Sequence, residues 1–82
     1  MMAVPATLTY KGKPIHAHEI YGGYDIIVVR SPMKVEGKER YLFYIRNSRL
    51  EVVCDNSTKY GDKCSEKSLR TAREYIDILN II

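Results

Sequence analysis

The positive charge of this chain is concentrated between Arg30 and Arg49. Six basic side chains stand in that stretch against Glu36 and Glu39, which gives it a net charge of +4. The rest of the chain has seven of the 13 basic and eight of the 10 acidic residues, so it is almost neutral. Concentrated positive charge steers association with an anionic partner. The sequence therefore predicts a binding surface for nucleic acid, or for a host protein complex whose nucleic-acid groove this surface blocks.

Tyrosine and arginine alternate on one face of the predicted strand at residues 40–46. If Phe43 faces the core, Tyr44 and the flanking arginines face outward. Guanidinium groups bind phosphate, and an aromatic plane stacks on bases or sugars. The alternative is a solvated sheet face whose charges pair across strands. The predicted partner-binding residues are Arg30, Lys34, Lys38, Arg40, Tyr44, Arg46 and Arg49.

Two histidines and two cysteines are the residues that could bind a metal. His16 and His18 lie on one face of a strand, and with Cys54 and Cys64 they could form a zinc set. The cysteines do not have the close spacing of a zinc knuckle, so outward-facing histidines and two reduced thiols are the favoured interpretation. A disulfide that closes the loop at residues 55–63 is the alternative for the thiols. We expect no metal and no other cofactor.

No pattern of catalytic residues supports an enzyme. The chain has neither a glycine-rich phosphate loop nor a nucleophile elbow. A Cys–His pair is conceivable on composition, but nothing in the sequence selects one cysteine as its nucleophile. Residues 55–62 resemble a calcium loop, yet Lys59 occupies a ligand position and no glutamate ends the loop. We therefore predict a non-enzymatic binding protein.

The chain of 82 residues predicts a single domain over residues 1–82. Its composition, 45% hydrophobic and 28% charged, is typical of a folded globular protein. The first six residues have no basic segment followed by an apolar run, so they do not form a signal peptide. No stretch approaches the roughly 20 apolar residues of a membrane span. These features predict a soluble cytoplasmic protein.

Short β-type runs separated by turn residues predict an antiparallel meander of four or five strands. Gly22-Gly23 predicts a tight hairpin turn, and apolar residues on both faces place the strand at 24–30 in the centre of the sheet. Leu50 and Val52 are predicted to face the core. The predicted strands are residues 8–10, 15–21, 24–30, 40–46 and 49–55.

After Cys64 the apolar residues recur at helical spacing, which predicts one C-terminal helix packed across the sheet. Ser65 or Ser68 is expected to cap its first turn. Ile78 and Ile81 fall partly off the buried face, where they either contact a partner, such as a second copy in a homodimer, or wrap onto the sheet edge. The predicted buried stripe is Leu69, Ala72, Ile76 and Leu79, flanked by Tyr75 and Ile82.

Three segments suggest a known kind of protein: Tyr10-Lys11-Gly12, Gly22-Gly23-Tyr24 and the helix at residues 68–77. In them the chain resembles small meander-plus-helix proteins of phages, prophages and mobile elements. It is similar in organisation to the arm-binding domains of phage integrases, which lay a sheet in the DNA major groove. It is also similar to small anti-CRISPR inhibitors, which occlude a host complex. The resemblance implies a non-enzymatic α+β protein that acts in the host cytoplasm, with nucleic acid or a host protein complex as partner.

Overall fold

A computed structural model of the chain describes residues 9–56 and 61–81. They form a five-stranded antiparallel sheet in the order β1-β2-β3-β4-β5, followed by one helix. This confirms the predicted α+β meander with a C-terminal helix. The sequence predictions for Leu8, residues 57–60 and Ile82 lie outside the described residues. The elements are β1 Thr9–Tyr10, β2 Lys13–Tyr21, β3 Tyr24–Arg30, β4 Tyr41–Arg46, β5 Val52–Asp55 and α1 Ser65–Ile81.

Two-residue turns with positive φ join the first three strands. Gly22 and Gly23 have φ of 57° and 86°, and they connect the paired residues Tyr21 and Tyr24, as predicted. Positive φ at both central positions matches the right-handed twist of the flanking strands. A second turn at residues 11–12 pairs β1 with β2, so β2 begins at Lys13, two residues earlier than predicted.

The central strands β3 and β4 are buried on both faces. Each contains four consecutive apolar residues, and runs of this kind are typical of strands covered on both sides. The helix-side core consists of Ile26, Val28, Phe43, Ile45, Ala72 and Ile76. The hairpin-side core consists of Ile27, Val29, Leu42 and Tyr44, with Tyr10 and Ile15 packed against it.

The hairpin of β1 and the start of β2 curls over the face of the sheet opposite the helix. The Tyr10 ring lies 4.9 Å from the Tyr44 ring, although β2 and β3 separate their strands in the sheet order. The pairing of β2 with β3 shifts register between Ile15 and Ala17. An irregularity of this kind bends a strand and increases its twist. The hairpin thereby covers the second face of the central strands.

Helix α1 is held against β2 by polar contacts along one of its flanks. The Arg73 guanidinium donates to both oxygens of Glu19 at 2.6 and 2.7 Å, and this bond lowers the pKa of the carboxyl group. The Tyr21 hydroxyl donates to Asp77 at 2.9 Å. Because these contacts fix the rotation of the helix, the buried stripe is Ser68, Ala72 and Ile76. Leu79, predicted to be buried, is 36% exposed.

The predicted inward orientation of Leu50 and Val52 is wrong, since their side chains are 62% and 39% exposed. The turn after β4 is longer than predicted because the Asn47 side chain accepts backbone N–H bonds from Arg49 and Glu51. Leu50 has φ of 64° within this turn. β5 therefore starts only at Val52, with a register shift opposite Ile45 and Arg46.

Alanine substitution should distinguish a buried position, Phe43, from an exposed one, Leu50. Phe43→Ala removes a ring that is 1% exposed, so we expect it to lower the free energy of unfolding by about 3–5 kcal/mol. Leu50→Ala truncates an exposed side chain, and we expect a change of about 0.5 kcal/mol or less. Urea unfolding followed by circular dichroism measures both. A loss for Leu50→Ala as large as that for Phe43→Ala would contradict the arrangement of the turn and β5.

Candidate functional site

The predicted basic surface is divided between the two ends of the β3–β4 pair. Arg30 pairs with Tyr41 at one end, and Asp25 pairs with Arg46 at the other. Asp25 and Arg30 are five residue steps apart along the extended strand, a distance of about 17 Å. Arg30, Lys34, Lys38 and Arg40 lie at the first end, on β3 and the loop that follows it. Arg46 and Arg49 lie at the second end.

Tyr44 does face away from the helix, as predicted, but its side chain is not an exposed stacking surface. It is 5% exposed because the curled hairpin places Tyr10 over it. This burial raises the pKa of the Tyr44 hydroxyl. Lys11 Nζ lies 5.5 Å from the ring centroid, where a cation is attracted by the π system. In this conformation the Tyr44 ring packs against Tyr10 within the protein, so a base has no access to it.

Arg46 is likewise engaged within the fold. Its Nη2 donates to Asp25 at 2.8 Å, and its guanidinium lies 5.4 Å from the centre of the Tyr10 ring. Asp25 also bonds to the His18 ring at 3.0 Å. The bonds to His18 and Arg46 outweigh desolvation and lower the pKa of Asp25, so the carboxylate compensates the charge of Arg46. Arg49 is exposed on the neighbouring turn.

The first end of the sheet gains two lysines that lie far from residues 30–49 in sequence. A groove lined by Lys13 and Arg30 lies between residues 12–16 and 30–32. A second groove is lined by Lys38, Arg40 and Lys63. We call this end of the sheet, with both grooves and the loop between them, the basic end. Its charged residues are Lys13, Arg30, Lys34, Lys38, Arg40 and Lys63, against Glu36, Glu39 and Asp62.

Lys63 reaches the basic end because its chain segment pairs with β4. The backbone of Asp62 exchanges hydrogen bonds of 2.8 and 2.9 Å with Tyr41. The Asp62 carboxylate accepts a bond of 2.7 Å from the buried Ser68 hydroxyl and one of 3.0 Å from Asn56 Nδ2. Ser68 therefore lies within the first turn of α1 and bonds to this segment, so of the two serines predicted as possible caps it is not the one that caps the helix. A satisfied buried network of this kind holds its members in one arrangement.

Gly61 allows this segment to approach β4 closely. It has φ of 97°, and a Cβ atom at this position would lie 2.6 Å from the Tyr41 carbonyl oxygen. Only glycine fits without displacement of the backbone. The Gly61 carbonyl in turn accepts a bond of 3.4 Å from Arg40 Nη1. The glycine thus brings the segment with Lys63 against the start of β4.

Most of the charge at the basic end is not compensated by carboxylates. Within residues 9–56 and 61–81, no carboxylate lies within 4.0 Å of Lys13, Lys34, Lys38 or Lys63. Arg30 Nε lies 2.5 Å from Glu39 Oε1, in an ion pair that is largely exposed. Exposed pairs of this kind contribute little to stability. The basic end therefore presents exposed or half-exposed cations, most of them without a carboxylate partner among the described residues, at one end of a sheet with a buried core.

The cysteines and histidines are distributed without a shared site. Cys54 and Cys64 are free thiols, and burial raises the pKa of Cys54. Cys54 packs on the helix-side core, whereas His18 bonds to Asp25 on the opposite face. Among the described residues, no three His, Cys, Asp or Glu side chains are grouped so that they could hold a metal ion.

The C-terminal turns of α1 expose apolar side chains. Ile78 is 54% exposed and Ile81 is 82% exposed, in agreement with their predicted position off the buried face. A homodimer through this helix stays a prediction. In the part of the chain that the structure describes, no helix combines the length and the apolar composition needed to cross a membrane.

Comparisons with known proteins return no match: no family model matches the chain, and neither a curated protein nor a solved structure does. Its function has to be inferred from its own residues.

Alanine substitution of two glycines should show how closely residues 61–64 pack on β4. Gly61 and Gly37 both have positive φ, so each Gly→Ala change should cost about 1–2 kcal/mol of unfolding free energy through backbone strain. Gly61→Ala must also displace the Tyr41 carbonyl, which should add about 1–3 kcal/mol. Gly37 has no atom within 4 Å of such a Cβ, so Gly37→Ala is the matched control. If chemical denaturation shows equal losses of unfolding free energy for Gly61→Ala and Gly37→Ala, residues 61–64 do not pack on β4.

Proposed function

We propose that this protein is a non-enzymatic nucleic-acid-binding protein whose basic end contacts the phosphate backbone. The observation that carries the proposal is the convergence of six basic residues from three separate parts of the chain on one end of the sheet. Their charges are spread over two grooves and a loop instead of a single pocket. A backbone that repeats a phosphate at regular spacing can contact several such cations at once.

The proposal changes which predicted residues make contact. Arg30, Lys34, Lys38 and Arg40 keep their role, and Lys13 and Lys63 join them. Tyr44 and Arg46 leave the contact surface because they are packed together under Tyr10. His16 instead supplies the aromatic ring of the contact surface. It is exposed beside the first groove, and its ring lies 4.9 Å from the Tyr41 ring.

Two further observations support a binding role in a reducing compartment. The raised pKa of Cys54 lowers its thiolate fraction, which opposes a nucleophilic role. Both cysteines are free thiols, as is usual for proteins of the cytoplasm. We therefore propose a cytoplasmic location, in the host cell if the chain comes from a phage or a mobile element.

The exposed apolar flank at the end of α1 favours a second function. Ile78 and Ile81 could contact a protein partner, as an inhibitor that occludes a host defence or nucleic-acid-processing complex would. The net positive charge favours nucleic acid as the partner over this alternative. An inhibitor that mimics nucleic acid and enters the cationic groove of a host complex should be acidic.

Removal of charge at the basic end should weaken nucleic-acid binding and make the affinity less dependent on salt concentration. We expect Lys38→Ala with Lys63→Ala to lower the affinity for an oligonucleotide and to reduce the slope of log K against log salt by roughly 1.4–1.8, the contribution of two phosphate contacts. Electrophoretic retardation over a range of salt concentrations measures both quantities.

The control is Arg49→Ala with Arg70→Ala, which removes the same charge from the opposite turn and from the exposed surface of α1. This pair should change the slope little. Equal effects of the two pairs would show that net charge alone drives binding. Absence of retardation, combined with nuclease-resistant retention of a host protein complex, would contradict the proposal and favour the inhibitor.

A further inference from the structure

The first groove of the basic end has the size of a small-molecule site. It is open to solvent and encloses about 350 Å³. Binding sites for small molecules occupy roughly 300–1,000 Å³, so this groove has the volume for one nucleotide. Its lining residues are Gly12, Lys13, Pro14, Ile15, His16, Arg30, Ser31 and Pro32.

The lining combines an apolar part with hydrogen-bond donors. Pro14, Ile15 and Pro32 offer apolar surface to a base or a sugar. Arg30 contacts Glu39 through Nε, and its two other guanidinium nitrogens are further donors for a phosphate. Ser31 Oγ accepts the backbone N–H of Met33 at 3.1 Å, so its own hydroxyl proton can still be donated. The groove can therefore hold both the charged and the apolar part of a nucleotide.

His16 adds an aromatic ring at the edge of this groove. The imidazole is exposed, and it contacts the half-buried Tyr41 ring at 4.9 Å with the two planes tilted by 48°. A ring in contact with a core-packed neighbour loses little further freedom when a ligand binds. Unstacked bases stack on aromatic side chains, histidine included.

We propose that this groove binds one unpaired nucleotide, so that the protein prefers single-stranded to double-stranded nucleic acid. In a duplex the bases are paired and stacked, and only phosphates and sugars would meet the groove. In a single strand one base can turn into the groove and stack on His16, while its phosphate contacts Arg30. This inference rests on the proposed function, because it states which form of nucleic acid, single-stranded or double-stranded, the basic end prefers.

The test compares a fluorescent oligothymidine of 12 nucleotides with a duplex of the same length at one salt concentration. We expect the wild-type protein to bind the single strand at least tenfold more tightly. Since one stacked base contributes on the order of tenfold or more in affinity, His16→Ala should remove most of this preference. The loss of affinity in His16→Ala should be larger for the single strand than for the duplex, whose paired bases do not stack on the ring. His16→Phe retains a stacking ring and should restore the preference.

His18→Ala is the matched control, because His18 lies two residues along the same strand and bonds to Asp25 outside the groove. It should bind the single strand like the wild type. Equal, salt-dependent affinity of the wild type for both strand forms would overturn this inference and leave the proposed function standing. Binding to neither form would overturn both. Equal losses for His16→Ala and His18→Ala would show that the groove is not the selective element.

Discussion

The burial of β3 and β4 on both faces is the constraint on which the rest of the structure depends. Their eight central side chains are each 8% exposed or less. In so short a chain, α1 can cover only one face, so the hairpin of β1 and β2 must curl over the other. Charged groups are excluded from both faces by the cost of their desolvation. On β3 and β4 they can therefore stand only at the ends of the strands and on the loops that follow them.

This constraint also explains why the two ends of the sheet differ in charge. At the end with Arg46, the residue paired with it on β3 is Asp25. The Asp25 carboxylate bonds both to Arg46 and to His18 of β2, so the three side chains form a hydrogen-bonded group. At the basic end both covering elements approach β4 and the end of β3. Residues 12–16 come from the hairpin, and residues 61–64 lead into α1. Each brings a lysine, which is why cations accumulate there without a matching set of carboxylates.

Local signals in the sequence predicted the order of the strands, the Gly22-Gly23 turn and the extent of α1. They did not predict the burial of Tyr44, because an alternating pattern leaves one face of its strand exposed. Residues 42–45 are instead a continuous apolar run, as residues 26–29 are. That run was the available signal for a strand covered on both faces. Lys13 and Lys63 could not be found in this way. Their positions depend on the register shift in β2 and on the pairing of Asp62 with Tyr41, which are long-range contacts without a local pattern.

An NMR titration of the ¹⁵N-labelled protein with a short single-stranded oligonucleotide tests the central claim most directly, because it locates the contact on the folded protein. The backbone amides of the residues other than proline in 12–16, 30–41 and 61–64 should shift together and saturate at one oligonucleotide concentration. Those of residues 47–51 and of the last turns of α1 should stay unchanged. Shifts centred on the turn at Arg49 or on Ile78 and Ile81, with residues 61–64 unaffected, would contradict the assignment of the basic end as the binding site.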